Sequence, residues 1–315
     1  MNEPGGGMSP RRRRMLRRRE LTDAQREHRR RRIRRRGRRA YIRSVYSLPS
    51  LATLGNAVCG FGAIYVASIG NAASPGGRFD LACYLVFFAM LFDAIDGRLA
   101  RFARHTTDFG GQLDSLADVV SFGLAPVFIG IQVFHEFTRD MNLPMVVHRV
   151  VWASAALYMC CALIRLARFN VSNEHGEQHH FSFLGLPSPG AAAMVTSFIL
   201  MQQDLIDESS QLRIVRHGPM YNVAAVLVWI LPMLVLCAGL LMVSHIRYPH
   251  LVNKYLRGRR SIQRLVSTVI LLLLLVVIHQ YTLGIGTLLY GLWAPVATGL
   301  SRLRKRSRLG PTPAV

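Results

Sequence analysis

Acid is scarce in this chain. Its 315 residues carry 17 Asp and Glu against 39 Lys and Arg, a formal net charge of +22. Charged residues make up only 18% of the sequence and apolar residues 51%, with a mean hydropathy of +0.25. Soluble domains carry about 25% charged residues and shorter apolar runs, so an ordinary water-soluble fold is excluded. Cysteine is scarce as well. Cys59, Cys83, Cys160, Cys161 and Cys237 all lie in apolar stretches, and none forms a C-x-x-C pair. No zinc site or disulfide framework is suggested, and the five read as buried small hydrophobes. The short apolar core and cleavage site of a signal peptide are missing from the N-terminal region.

Basic residues are present in excess, and unevenly. Residues 1–43 hold 18 Arg and four acids, a net of +14, which leaves +8 for the rest. Such blocks repel themselves and rarely fold alone, so residues 1–40 read as a disordered, Arg-rich cytoplasmic arm. Beyond it, apolar spans of about 20 residues recur, each long enough to cross the bilayer as a helix. They fall near 50–69, 79–97, 110–134, 150–169, 187–203, 220–244, 263–281 and 284–301. The uncharged run Leu265–Ser301 is too long for one span, and Gly284 and Gly286 divide it into a hairpin over 262–301. Residues 302–315 form a basic tail. With the arm inside, the inner segments hold Arg98, Arg101 and Arg104, then Arg165 and Arg168, then the basic stretches at 247–264 and 302–308. Outer loops carry few basic residues. This is the positive-inside pattern for eight spans with both ends in the cytoplasm. The fold class expected is all-α, a polytopic membrane helix bundle.

Against this apolar background, Asp93, Asp96, Asp114 and Asp118 stand out, because carboxylates at membrane depth are costly. Asp93 and Asp96 close span 2, and Asp114 and Asp118 open span 3. Residues three and four apart share a helix face, so two neighbouring helix ends present four carboxylates to one space. A hard divalent cation, Mg²⁺ or Mn²⁺, relieves their repulsion, and two such ions can clamp a phosphoryl centre. Gly97 and Gly110 leave gaps for a ligand, although small residues also serve close helix contacts. Arg98, Arg101 and Arg104 suit phosphate, but Arg98 and Arg104 also read as topology anchors. Carboxylates inside a membrane also occur in ion-coupled transporters, which have no need of the Gly, Ala and Arg positions.

The combined spacing is D-x2-D-G-x2-A-R-x8-G-x3-D-x3-D, from Asp93 to Asp118 without a mismatch. It resembles the signature of the CDP-alcohol phosphatidyltransferase family. The resemblance implies a six-helix membrane core over 48–250, usually homodimeric, with a divalent-metal site open to the cytoplasm. It implies transfer of a phosphatidyl group from a CDP-linked lipid to an alcohol, with release of CMP. Carried onto this chain, it makes Asp93, Asp96 and Asp114 metal ligands, with Asp118 completing the site and acting as general base. Gly97, Ala100, Arg101 and Gly110 would hold the cytidine diphosphate part.

Further stretches resemble the membrane-embedded phosphatidylserine synthase branch: "LPSLATLGNAVCGF", "DSLADVVSFGLAP", "RLARFN", "FLGLPSPGAA" and "IRYP", in that order, the likeness running from about Leu48 to Lys254. That branch joins L-serine to CDP-diacylglycerol. Zwitterionic serine needs a cation for its carboxylate, and Arg165 and Arg168 sit at the cytoplasmic end of span 4, level with the aspartates. Either can hold a carboxylate or a substrate phosphate through paired hydrogen bonds, or snorkel as an anchor. Enzymes with glycerol-phosphate, inositol-phosphate or choline acceptors share the signature. Asn170 is a weaker acceptor-site candidate, and Ser121 reads as a packing residue. His175, His179 and His180 read as a solvated loop. Trp152, Trp229 and Trp293 read as core or interface residues. The arm suits anionic lipid; nucleic-acid binding would explain the arm and nothing else. The chain is expected in a bacterial inner membrane.

Overall fold

A computed structural model describes residues 50–69, 75–103, 108–174, 185–211, 219–246 and 273–308. The Arg-rich arm, His175, His179, His180, Arg104 and most of "IRYP" lie outside the described residues. Among those described there is no strand. Helix α1 spans Ser50–Ser68. Helix α2 spans Pro75–Ala103, α3 Asp108–Asp118, α4 Ala125–Phe137, α5 Met145–Glu174, α6 Ser188–Gln211, α7 Pro219–Val243 and α8 His279–Arg308. A π-helical turn, Val119–Leu124, joins α3 to α4 into one rod. Pro126 falls in the first turn of α4, where its missing N–H is tolerated best.

Four rods are long and apolar enough to cross a membrane: Ser50–Ser68, Phe109–Phe137, Met145–Val171 and Asn222–Val243. The chain is therefore a polytopic membrane helix bundle, as expected. The six spans expected up to residue 244 each fall on one rod, which extends past the apolar window wherever a charged turn continues the helix.

The packing is that of helices in lipid, where small residues and polar contacts hold rods together more than hydrophobic burial does. Ala63, Ala82, Ala89, Ala125, Ala162 and Ala191 are buried at the centre around Phe122, Ile129, Tyr158 and Ile199. The Tyr158 hydroxyl donates to the Phe122 carbonyl at 3.0 Å, tying α5 to the π-helical turn. Large apolar side chains such as Phe61, Phe88 and Leu157 face outward. All three tryptophans are exposed on that surface, so none is a core residue. The cysteines are free, and Cys83 and Cys161 are buried as expected. Cys160 instead faces outward, because it sits one residue off the buried stripe of α5.

The C-terminal segment departs from its expected form. Gly284 and Gly286 do not break the helix; α8 runs through both, and the interruption falls at Ile278. Gly284 is spent on packing. A Cβ there would meet Met201 Sδ and the Ser197 carbonyl on α6, each at 3.4 Å. Gly291 faces α6 too, where a Cβ would lie 2.7 Å from Met194 Sδ. Thr287 and Ser197 share a hydrogen bond of 2.7 Å between these glycines.

The two ends of the bundle differ. At one, the Arg78 guanidinium joins α2 to α4 through Glu136 at 2.9 Å and donates to the Ile69 carbonyl at 2.7 Å. Tyr84 and His279 meet nearby, so α8 begins at this end. At the other, Gly185 N–H donates to the Ile246 carbonyl and Leu186 N–H to the Leu241 carbonyl, both at 2.9 Å. These bonds pin the start of α6 to the end of α7. Gly185 has φ +88°, and a Cβ would lie 2.2 Å from the Met242 carbonyl oxygen, so only glycine fits.

Candidate metal centre

The second end gathers the last turns of α2, the first turns of α3, the end of α5 and the start of α6. Asp93, Asp114 and Asp118 come together there, one carboxylate oxygen from each within 4.8 Å of the others. At that separation two full charges repel by about 3.5 kcal/mol in a medium of effective dielectric about 20. Asp118 is buried, while Asp93 and Asp114 are half-buried. Asp114 Oδ1 is buried with no hydrogen-bond partner among the described residues.

Asp96 stands beside this triad rather than in it. The Thr53 hydroxyl of α1 and the Gly97 N–H face its carboxylate, and its Oδ2 is buried without a hydrogen-bond partner among the described residues. Asp118 is held by α1 as well, with Asn56 Nδ2 donating to its Oδ1 at 3.0 Å. The residues present fit a hard cation. Every ligand atom of the triad is a carboxylate oxygen, Asp114 Oδ1 and the neighbouring Asp96 Oδ2 lack partners among the described residues, and no described His or Cys joins the group.

The other expected site residues distribute as follows. Gly97 is exposed, with nothing within 4 Å of where a Cβ would stand, so open space adjoins the aspartates. Gly110 is half-buried in the first turn of α3. Ala100 and Arg101 lie on the last turn of α2, their side chains outside the described residues. Arg165 is half-buried, donates from Nη1 to Ser188 Oγ at 2.7 Å, and lies within electrostatic reach of Asp118. Arg168 lies one turn further on and is exposed. Asn170 bonds to Ser115 of α3 at 2.9 and 3.1 Å. Ser121 is a packing residue, its hydroxyl donating to the Asn56 carbonyl at 2.9 Å. Sequence reasoning missed Thr53, Asn56 and Ser188 as site residues. The available signal was the i, i+3 pair of polar residues on an otherwise apolar span.

An apolar helix bundle with a carboxylate cluster and an arginine at one end defines a membrane-embedded protein with a candidate cation site. Residues 46–233 match the sequence profile of CDP-alcohol phosphatidyltransferase, and the chain belongs to that family. It is similar to the CDP-diacylglycerol–serine O-phosphatidyltransferase of Helicobacter pylori, 33% identical over 209 residues, covering 66% of this chain and 74% of that one. The enzyme of the same name from Methanocaldococcus jannaschii is 30% identical over 214 residues, 68% and 79% of the two chains. The archaetidylserine synthase of Methanothermobacter thermautotrophicus is 35% identical over 161 residues, 50% and 60% of the two chains.

Proposed function

We propose that this chain transfers the phosphatidyl group of CDP-diacylglycerol to the hydroxyl of L-serine and releases CMP. The observation that carries the reaction type is the convergence of Asp93, Asp114 and Asp118 at one end of the bundle. The acceptor is supported by the serine products in the relatives' names and by a half-buried arginine beside the aspartates.

Asp93, Asp114 and Asp118, with Asp96 beside them, hold Mg²⁺ or Mn²⁺, in our reading two ions. When bound, the cation neutralises the carboxylates and the charge that gathers on the pyrophosphate as CMP departs. The Gly97 gap admits the cytidine diphosphate part against the helix, with Ala100, Arg101 and Gly110 on the same pocket. The Arg165 guanidinium, steadied by Ser188, takes the serine carboxylate through two parallel bonds. Arg168 serves serine or a phosphate. Asp118 takes the proton of the serine hydroxyl as its oxygen attacks the lipid-bearing phosphorus. The bond from that phosphorus to the CMP oxygen breaks, and CMP leaves with the electron pair. The site faces the cytoplasm of a bacterial inner membrane, and the enzyme works as a homodimer.

The test is purified protein with CDP-diacylglycerol, Mn²⁺ or Mg²⁺ and labelled L-serine, following CMP and lipid, with Asp118→Asn alongside. Labelled phosphatidylserine that disappears in the variant supports the reaction and the base. CMP release only with glycerol phosphate, inositol phosphate or choline overturns the acceptor. Absence of CMP with every alcohol overturns the reaction.

A further inference from the structure

Thr53 and Asn56 lie one turn apart on α1, and each reaches a different aspartate. Asn56 Nδ2 donates to Asp118 Oδ1 at 3.0 Å, and the Thr53 hydroxyl faces the Asp96 carboxylate. Thr53 is 4% exposed and Asn56 is wholly buried, so neither contact competes with bulk water. The Asn56 amide is turned toward Asp118 at the expense of its own acceptor, since Oδ1 is buried without a partner among the described residues. The opposite orientation would place Oδ1 against a carboxylate oxygen. The height of α1 against α3 is fixed independently. Ser121 Oγ donates to the Asn56 backbone carbonyl, and a Cβ on Gly60 would lie 2.7 Å from Ser121 Cα, so the two backbones nearly touch.

We infer that Thr53 and Asn56 are positioning residues that hold Asp96 and Asp118 from α1 and so preset the carboxylate cluster for its cation. A donor fixed on one carboxylate oxygen stops the group turning, so the second oxygen keeps one direction. Asp93 and Asp114 come from the two rods that also supply Asp96 and Asp118, and α1 is the third rod, which ties those two together. The inference rests on the metal-binding reading above. Outer partners of this kind change metal affinity by about 10–100-fold when removed.

The experiment is direct Mn²⁺ titration of the full-length protein in detergent without substrate, read by the loss of the free-ion electron paramagnetic resonance signal. Asn56→Ala is expected to weaken binding by about 10–100-fold. Thr53→Val, nearly isosteric, should weaken it in the same direction, and Thr53→Ser, which keeps the hydroxyl, should restore it. Ser121→Ala removes an α1 docking bond and no aspartate contact, so it should lower the unfolding temperature and leave Mn²⁺ affinity unchanged. The Thr53 series decides the matter even if Asn56→Ala does not fold. Wild-type affinity in both Asn56→Ala and Thr53→Val overturns the inference alone. Equal weakening in Ser121→Ala also overturns it, because α1 would then act by packing. Absence of saturable Mn²⁺ binding in the wild type overturns the metal-site reading itself, and this inference with it.

Discussion

Asp118 and Arg165 occupy neighbouring places, and the tasks proposed for them are opposite, so single substitutions should separate them. Asp118→Asn keeps the shape and the Asn56 contact but cannot accept a proton. General-base catalysis contributes about 10²–10⁴-fold, so kcat should fall by at least that much even at saturating Mn²⁺, and the Mn²⁺ needed for half-maximal rate should rise because Asp118 also holds the cation. Steady-state CMP release checks this. Arg165→Lys keeps the charge but loses the planar fork, and Arg165→Ala also leaves Ser188 without its donor. Both should raise the KM for serine, the alanine more, with the donor lipid's KM unchanged; an unchanged serine KM in both would remove Arg165 from the acceptor site. These side chains were legible in the sequence because their spacing is local to a helix or to two adjoining helix ends. Thr53 and Asn56 were not, because their contacts join residues 62 apart for Asn56 and Asp118, and the rotation of α1 that aims them is a property of packing alone.

Between elements, glycine does three different jobs that one letter does not distinguish. Gly60 is where α1 meets the π-helical turn, and a Cβ would lie 2.3 Å from Ser121 Oγ. Gly60→Ala overpacks that contact and should cost about 1–3 kcal/mol. Gly185 combines φ +88° with a carbonyl 2.2 Å from any Cβ, so Gly185→Ala should cost at least as much and free the start of α6 from α7. Gly97 has open space, so Gly97→Ala should leave the unfolding temperature unchanged and raise the KM for CDP-diacylglycerol. Thermal unfolding in detergent beside donor-lipid kinetics separates the three. The same ambiguity explains the misplaced break near Gly284. Inside a long apolar run, glycine marks either a turn or a close helix contact, and only the facing Met201 and Ser197 decide between them.

For the molecule as a whole, the direction of each rod predicts which side the tail leaves from. Along α8, Gly284 meets Met201, Gly291 meets Met194, and Tyr290 lies against Gly190. Contacts therefore run backward along α6, and the two helices are antiparallel. Helix α6 starts at the aspartate end, so α8 ends there, and Arg302, Arg304, Lys305, Arg306 and Arg308 leave on the same side as Asp93 and Asp118. Helix α7 also ends at that side, beside Gly185, whereas α8 starts at the opposite side, beside Tyr84. A further crossing between α7 and α8 is thus expected, as the apolar run from Leu265 predicts, for eight in all. Positive charge concentrated at the aspartate end is the ground for proposing that end as the cytoplasmic side. A fluorescent protein fused after Val315 should therefore mature in the cytoplasm, and a cysteine placed at exposed Arg98 should resist an impermeant thiol reagent in intact cells yet react in inverted vesicles. A C-terminus and an Arg98 position on opposite faces would mean that α7 and α8 are joined without a crossing and that the eight-span topology is wrong.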